Sequence, residues 1–405
     1  MQTRLKNFMR YKMADSFCVL PWMHLATHPH GGVSLCCVTD FKDGNGMSRD
    51  GDWYYNLNRD TIADTMNSEK FRNTRLEMLN GKMPSPCMRC YKEERRGIKS
   101  KRLTENENYS NFTIDVAKQQ TQADGTIDPQ LEFVELRLGN ICNAKCATCN
   151  PASSSKWVVD YRKLAHELDF ITNYNNLDDF AWPERDEFWD DLYKHTANVK
   201  TFYINGGEPT LVKAHWRFIE RLIAEGRTDI TLWYNTNMIS IPDSAFELWS
   251  KFKKVQISCS IDDIGLRNQY IRFPTKWTDV EANLDKLKQY EWLDVSVNQT
   301  VSVYNYYYLP EFWQYMTDRG LFVHHNYVYD PVFLSPAALP MEFREQCHKR
   351  FADCGWEQWR TDNLVNSFSY GGDEEMTNRA QQYISALDRI RNTNFAEVFP
   401  HVELY

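Results

Sequence analysis

From Leu131 onward, short runs with β-strand character alternate with segments that are apolar at helical spacing. The runs are LEFVELRLG from Leu131, VKTFYING from Val199, ITLWYNTN from Ile230, VQISCSID from Val255, WLDVSVNQTV from Trp292 and LFVHHNYVYD from Leu321. Between most of them lie amphipathic stretches such as AHWRFIERLIAEG and TDVEANLDKLKQY. Repeated strand–helix alternation implies parallel strands joined by helical crossovers. Six such units suit a barrel or an open doubly wound sheet, and periodicity alone does not separate the two.

The runs have two faces. Val255, Ile257, Cys259 and Ile261 fall on one side of their run, and Gln256, Ser258, Ser260 and Asp262 on the other. Ser296, Asn298 and Thr300 likewise oppose Val295, Val297 and Gln299, because alternate strand residues point to opposite faces. A buried parallel sheet is ordinarily apolar on both sides. A polar face therefore predicts strands that line a cavity, with the site of a barrel enzyme at their C-terminal ends.

Upstream the pattern changes. Residues 15–100 are rich in cysteine and glycine, with one helical stretch from Ile62 to Asn80 that Gly81 stops. Residues 101–130 are polar and weakly periodic, which predicts a linker or irregular excursion. The C-terminal part is helical, with EFREQCHKRFADC and RAQQYISALDRIRN the clearest segments, and the aromatic cluster YNYYYLPEFW is read as packing. The expected organisation is a cysteine-rich domain over 1–100, a linker over 101–130, a strand–helix domain over 131–331 and a helical extension over 332–405.

Composition narrows the function classes. The chain has 405 residues, 42% of them hydrophobic and 14% aromatic, enough for a substantial core. Its net charge of −8 argues against a general nucleic-acid or anionic-membrane surface. The sequence has no run of about 18 apolar residues that would span a membrane, and its N-terminus MQTRLKNFMRYKM lacks the apolar stretch of a secretory signal. A cytoplasmic location is expected, where thiols stay reduced. Eleven cysteines in that setting, several closely grouped, point to metal binding rather than disulfides.

Cys142, Cys146 and Cys149 lie in ICNAKCATCN, directly after the first run. Three thiolates at C-x3-C-x2-C spacing can wrap one cubane cluster and leave its fourth iron without a protein ligand. The amino and carboxylate groups of a methionine can chelate that iron. Electron transfer into the sulfonium of S-adenosylmethionine (SAM) then breaks a C–S bond and yields a 5′-deoxyadenosyl radical. Structural zinc sites use four protein ligands, which this spacing fits poorly. With its strand-then-loop setting, the motif resembles that of the radical SAM superfamily, which implies a partial (β/α)6 TIM-like barrel. One departure is Thr148, at a position commonly aromatic in that superfamily.

Further on, YINGGEPTL resembles the superfamily's GGE motif at Gly206, Gly207 and Glu208. Glycines at a strand end let backbone approach a ligand, and the carboxylate is expected to pair with the SAM ammonium. The resemblance extends to Ser258, Ser260 and Asp262 in SxSID, whose polar groups are expected at the ribose or the methionine carboxylate. Arg272 is a candidate for the same carboxylate. Asn235, Asn237 and Asn298 point to the same cavity, as SAM or substrate contacts or as caps for barrel-end backbone.

A second group precedes the strands: Cys18, Cys36, Cys37, Cys87 and Cys90. The pieces C-x12-G-x4-C, from Cys18 through Gly31 to Cys36, and C-x2-C, at Cys87 and Cys90, supply four sulfurs for a closed cubane or for a zinc ion. Cys36 fits the glycine spacing better than Cys37. The group and its surroundings, FCVLPWMHLATHPHGGVSLCC and DTMNSEKFRNTRLEMLNGKMPSPCMRCYKEE, resemble the twitch domain, the shortened relative of the SPASM domain. That resemblance implies a small α+β domain with an auxiliary [4Fe–4S] cluster, here N-terminal to the barrel.

Other reactive residues are read as structural. Cys259, on the apolar side of its run, is expected as a buried inert thiol, and Cys347 and Cys354 as free thiols. His24, His28 and His30 are expected as exposed loop histidines, one of them a potential partner of the auxiliary cluster. His324, His325, Tyr327 and Tyr329 are candidates to face substrate, but alternation forbids that all do.

The resemblances together imply an enzyme that reductively cleaves SAM and abstracts hydrogen from a peptide or protein side chain, served by a one-electron donor such as a flavodoxin or ferredoxin. Modification of a sugar or other small metabolite is the alternative within enzymes. A non-enzymatic metal-binding scaffold or sensor is the alternative outside them.

Overall fold

The computed structural model describes residues 16–95, 97, 99–171, 179–328, 330–356, 361–362, 364–365 and 372–404. Tyr329 lies outside the described residues. Among the described residues, eight strands form one sheet: β1 (His24–Thr27), β2 (Val33–Ser34), β3 (Phe133–Leu138), β4 (Thr201–Gly206), β5 (Thr231–Thr236), β6 (Lys254–Ser260), β7 (Leu293–Val301) and β8 (Phe322–Tyr327). Their order is β8-β7-β6-β5-β4-β3-β1-β2. The six runs expected from the sequence are β3 to β8. The pairs β3/β4, β6/β7 and β7/β8 are parallel, and helical segments connect successive strands. This mostly parallel α/β arrangement is the (β/α)6 plan.

By contact the chain divides into two compact units, one of Met1–Gly139, Asp179–Gly206 and Val212–Thr231, the other of Asn140–Asp178, Gly207–Leu211 and Leu232–Tyr405. In the first, β1 pairs in parallel with β3, placing Ala26 opposite Glu135, and β2 turns back antiparallel on β1. The cysteine-rich segment thus supplies two strands of its own. The expected helix from Ile62 to Asn80 is two helices, Ile62–Met66 and Glu69–Leu79. Each has its own N-cap, a Thr61–Asp64 capping box and Ser68 respectively. Arg75, fully buried, donates to the carbonyls of Gly125, Pro21 and Met66 at 2.9, 2.9 and 2.7 Å.

The stretch 101–130, expected to be irregular, contains the helices Lys101–Asn108 and Ile114–Gln120, capped by Ser100 and Thr113. Only narrow faces of these helices are covered, Arg102, Glu105 and Ala117 among them. The apolar period is therefore too sparse to read from sequence.

In the second unit, the β6–β7 register sets Ser258 against Ser296 and Ser260 against Asn298. The opposite face, with Val255, Ile257, Cys259 and Val297, is completely buried. The aromatic cluster packs as read, with Tyr304 against Phe395 and Phe399. The C-terminal helices expected from the sequence are Met341–Ala352 and Glu374–Arg391.

Candidate functional site

Cys142, Cys146 and Cys149 share one irregular loop of the second unit, and the surrounding chain fixes its backbone. Lys145 N–H donates to Phe273 O at 2.7 Å and Ala147 N–H to Ile271 O at 2.6 Å. Trp157 Nε1 donates to Cys146 O at 2.9 Å and Tyr383 Oη to Ala147 O at 3.0 Å. Arg391 Nη2 donates to Lys145 O at 2.6 Å. Its guanidinium lies 4.4 Å from the Trp157 ring centroid and 5.1 Å from that of Phe273. Asp160, 4% exposed, ties the set together through Lys145 at 2.7 Å and Arg391 at 3.3 Å. A loop this constrained presents its thiols in one arrangement.

Two side chains from outside the loop reach the sulfurs. Asn237 Nδ2 lies 3.8 Å from Cys142 Sγ, and Arg272 Nη1 lies 3.8 Å from Cys146 Sγ. Burial raises all three thiols, that of Cys146 to about 11. A metal that takes them as thiolates must displace their protons.

The glycine turn lies against this loop. Gly206 ends β4 with φ +128°, and a side chain there would place its Cβ 2.5 Å from Leu138 N. At Gly207 a Cβ would overlap the carbonyl of Ile141, and Glu208 N–H donates to that same carbonyl at 2.8 Å. Only glycine permits this approach.

Glu208 is 1% exposed, and its own chain already engages its carboxylate. Oε1 accepts from Thr210 Oγ1 at 2.7 Å, Thr236 Oγ1 at 3.0 Å and Thr210 N–H at 3.3 Å. Oε2 accepts from Asn237 N–H at 2.7 Å. Burial raises its pKa while these donors lower it. In this structure Glu208 anchors the end of β5, and Oε2 retains the capacity for one further donor.

The remaining candidates separate. Asn235, Ser258, Ser260 and Asn298 come together on one strand face, and Asn298 Nδ2 donates to Asn235 Oδ1 at 3.1 Å. Ser258 Oγ accepts from Trp233 Nε1 at 2.8 Å and is buried beneath it. Arg272 instead pairs with buried Asp262 at 2.8 Å. Tyr383 and Arg391 were not legible as site residues, because they sit more than two hundred positions from the loop they support.

In the first unit, Cys18, Cys36, Cys87 and Cys90 line one small cavity, closed by Leu20 and Val38 and flanked by Lys101 and Arg102. Cys37 is not among the lining residues; its thiol hydrogen-bonds Glu135. Of the two adjacent cysteines, Cys36 is the one that faces the cavity. Burial raises these thiols, Cys18 to about 12. Both sites offer thiol donors only, the ligand set of iron–sulfur clusters. Among the described residues, no set of three or more His, Cys, Asp or Glu is gathered as ligands of one metal ion.

Three histidine expectations change. His24 is buried rather than exposed: it stacks on Phe133 at 4.4 Å, and burial lowers its pKa to about 4. His28 and His30 are half-buried, and His28 Nε2 meets Ser34 Oγ at 3.1 Å. As expected, Cys259 is fully buried; Cys347 is buried too, on the helix Met341–Ala352.

Residues 18–91 match the SPASM model, an iron-sulfur cluster-binding domain. The SPASM match begins at Cys18 and ends one residue beyond Cys90, so it contains all four cavity cysteines. It agrees with the twitch/SPASM-like domain expected at this end of the chain. No curated protein matches. Among solved structures, anSMEcpe with bound AdoMet is similar at 20% identity with a TM-score of 0.41, over 58% of this chain and 62% of that one. The match thus spans less than two thirds of anSMEcpe. Streptococcus suis SuiB bound to precursor peptide SuiA is similar at 14% identity with a TM-score of 0.36, over 80% of this chain and 66% of that one.

Proposed function

We propose that this chain is a radical SAM enzyme whose three-cysteine loop holds a SAM-cleaving [4Fe–4S] cluster, and that it takes hydrogen from a peptide or protein side chain. The observation that carries the reading is the Cys142–Cys149 loop. It brings three thiols to one loop, is held at the backbone of residues 145–147 and receives side-chain donors at two sulfurs. Such a cluster, when bound, supplies the electron for cleavage and an open iron for the amino and carboxylate groups of SAM.

The chain's own residues bind and orient. Gly206 and Gly207 let the backbone of Leu138 and Ile141 close onto the turn that presents Glu208. Asn235, Ser260 and Asn298 offer amide and hydroxyl groups on the strand face for the ribose, while Ser258 orients Trp233. Oε2 of Glu208 has one acceptor position left for the SAM ammonium. In residues 18–91, Cys18, Cys36, Cys87 and Cys90 hold an auxiliary [4Fe–4S] cluster, and Lys101 and Arg102 place positive charge beside it. A cluster held there would supply one-electron chemistry, with a flavodoxin or ferredoxin as the donor. No helix among the described residues is long and apolar enough to cross a membrane, and a cytoplasmic site of action accords with thiol chemistry.

The test is anaerobic reconstitution, reduction with dithionite in the presence of SAM, and assay for 5′-deoxyadenosine. Wild-type protein is expected to hold about eight irons and form 5′-deoxyadenosine; Cys142→Ala, Cys146→Ala, Cys149→Ala together lose about four irons and all cleavage. Full iron in that triple variant overturns the assignment. Absence of 5′-deoxyadenosine from iron-replete wild type favours the scaffold or sensor.

A further inference from the structure

We propose that Arg272 and Asn237 are positioning residues that raise the reduction potential of the cluster on Cys142, Cys146 and Cys149 by donating to two of its three thiolates. The proposal rests on the reading of that loop as a cluster site. It gives Arg272 a role different from the SAM carboxylate contact expected from sequence.

The guanidinium is not free to reorient. Arg272 Nε meets Asp262 Oδ2 at 2.8 Å, and the Arg272 side chain is 11% exposed. Asp262 is itself held, its Oδ1 accepting Thr300 N–H at 2.8 Å. Its own N–H donates to buried Asn268 Oδ1 at 3.1 Å. The ends of β6 and β7 therefore fix the fork, and Nη1 projects to Cys146 Sγ at 3.8 Å.

Asn237 is fixed by different contacts. Its Oδ1 accepts Ile239 N–H at 3.0 Å, which sets the amide orientation, since a flipped amide would oppose two donors. Its Nδ2 then faces Asn143 Oδ1 at 2.6 Å and Cys142 Sγ at 3.8 Å.

Reduction adds one electron, and so one negative charge, to the cluster and its thiolates. Hydrogen bonds to the sulfurs and a fixed cation nearby stabilise the reduced state more than the oxidised one. Net charge and sulfur hydrogen bonding are the levers by which a protein sets this potential. The Asp262 carboxylate offsets part of the cation's field, but it also prevents the guanidinium from swinging away from Cys146.

The experiment is an EPR-monitored redox titration of the full-length reconstituted protein, following the reduced signal that added SAM perturbs. Arg272→Gln removes the cation. Asn237→Asp keeps the acceptor for Ile239 and replaces the donor by a negative charge. Each is expected to retain wild-type iron and to lower the reduced-to-oxidised ratio at fixed potential about tenfold, equal to about 59 mV for one electron. Arg272→Lys, which keeps the charge, is expected to recover most of the shift.

Unchanged midpoints in Arg272→Gln and Asn237→Asp at full iron overturn the proposal. So does an unchanged midpoint in Arg272→Gln with weakened SAM binding, which would assign Arg272 to SAM. If Arg272→Gln fails to assemble its cluster, Asn237→Asp decides: a lowered midpoint supports the proposal and an unchanged one overturns it. A wild-type protein with no SAM-responsive signal instead overturns the underlying reading of the loop.

Discussion

Replacing Glu208 by Gln tests what the buried carboxylate does. The carboxylate accepts four hydrogen bonds, three at Oε1 from Thr210 and Thr236 and one at Oε2 from Asn237 N–H. A glutamine carbonyl oxygen can serve only one of these directions. With it turned to the threonines, the new NH2 faces the Asn237 N–H, donor against donor, and a charge-assisted bond worth about 1.5–3 kcal/mol is lost. Burial disfavours the charged carboxylate, and glutamine escapes that cost, so the net loss belongs at the lower end. About 1.4 kcal/mol corresponds to a tenfold change in a local opening equilibrium.

Hydrogen–deuterium exchange of amides 237–239, read by mass spectrometry at pH 7, is therefore expected to accelerate about tenfold in the Gln variant. The folded carboxyl pKa is raised, so its stabilising contribution is present at low pH and fades as pH rises through the folded value. Acidification from pH 7 is thus expected to raise the global stability of wild type relative to the variant, read by denaturant titration. Unchanged exchange together with a large loss of SAM affinity would refute this reasoning and place the SAM ammonium ahead of the loop as the carboxylate's partner.

Cys87→Ala with Cys90→Ala is expected to remove about four irons while 5′-deoxyadenosine formation survives, because Cys142, Cys146 and Cys149 lie together within eight residues of one loop; loss of cleavage with four irons retained in soluble protein contradicts this. Arg391→Leu leaves Asp160 with Lys145 as its ion partner and strips the donor from Lys145 O. Leaving that buried carbonyl without its donor costs about 1–3 kcal/mol, so a lower melting temperature and slower iron uptake are expected, and an unchanged melting curve counts against a supporting role for that helix. His24, lowered by burial to about 4, contributes stability that is present above its unfolded value near 6.5 and lost as pH falls. Wild type should lose about 2 kcal/mol from this group between pH 7 and pH 5; denaturant titrations in which His24→Gln keeps the same acid slope would refute that.

Much of the fold and the grouping of the cysteines in both candidate sites were legible in the residues. Strand runs announce themselves by local period, and all six appear as β3 to β8. Cysteine spacing and the GGE turn lie within a few consecutive residues, so their chemistry is written locally. The helices at 101–108 and 114–120 were not legible, since caps and sparse buried faces do not make a strong period. Nor was the pairing of β1 with β3, which joins residues about a hundred positions apart.

The sequence alone determined which side chains carry thiol chemistry, which runs become strands and where backbone must be bare. Only the tertiary structure decided which groups act on them: Cys36 rather than Cys37 in the cavity, Arg272 on Asp262 and Cys146, Glu208 already bonded within its own chain. It also placed Tyr383 and Arg391 on the cysteine loop. The physical reason is range. Spacing and period are properties of neighbouring residues, whereas the donor at Cys142 comes from 95 positions away and that at Lys145 O from 246, and only packing brings them within hydrogen-bond reach.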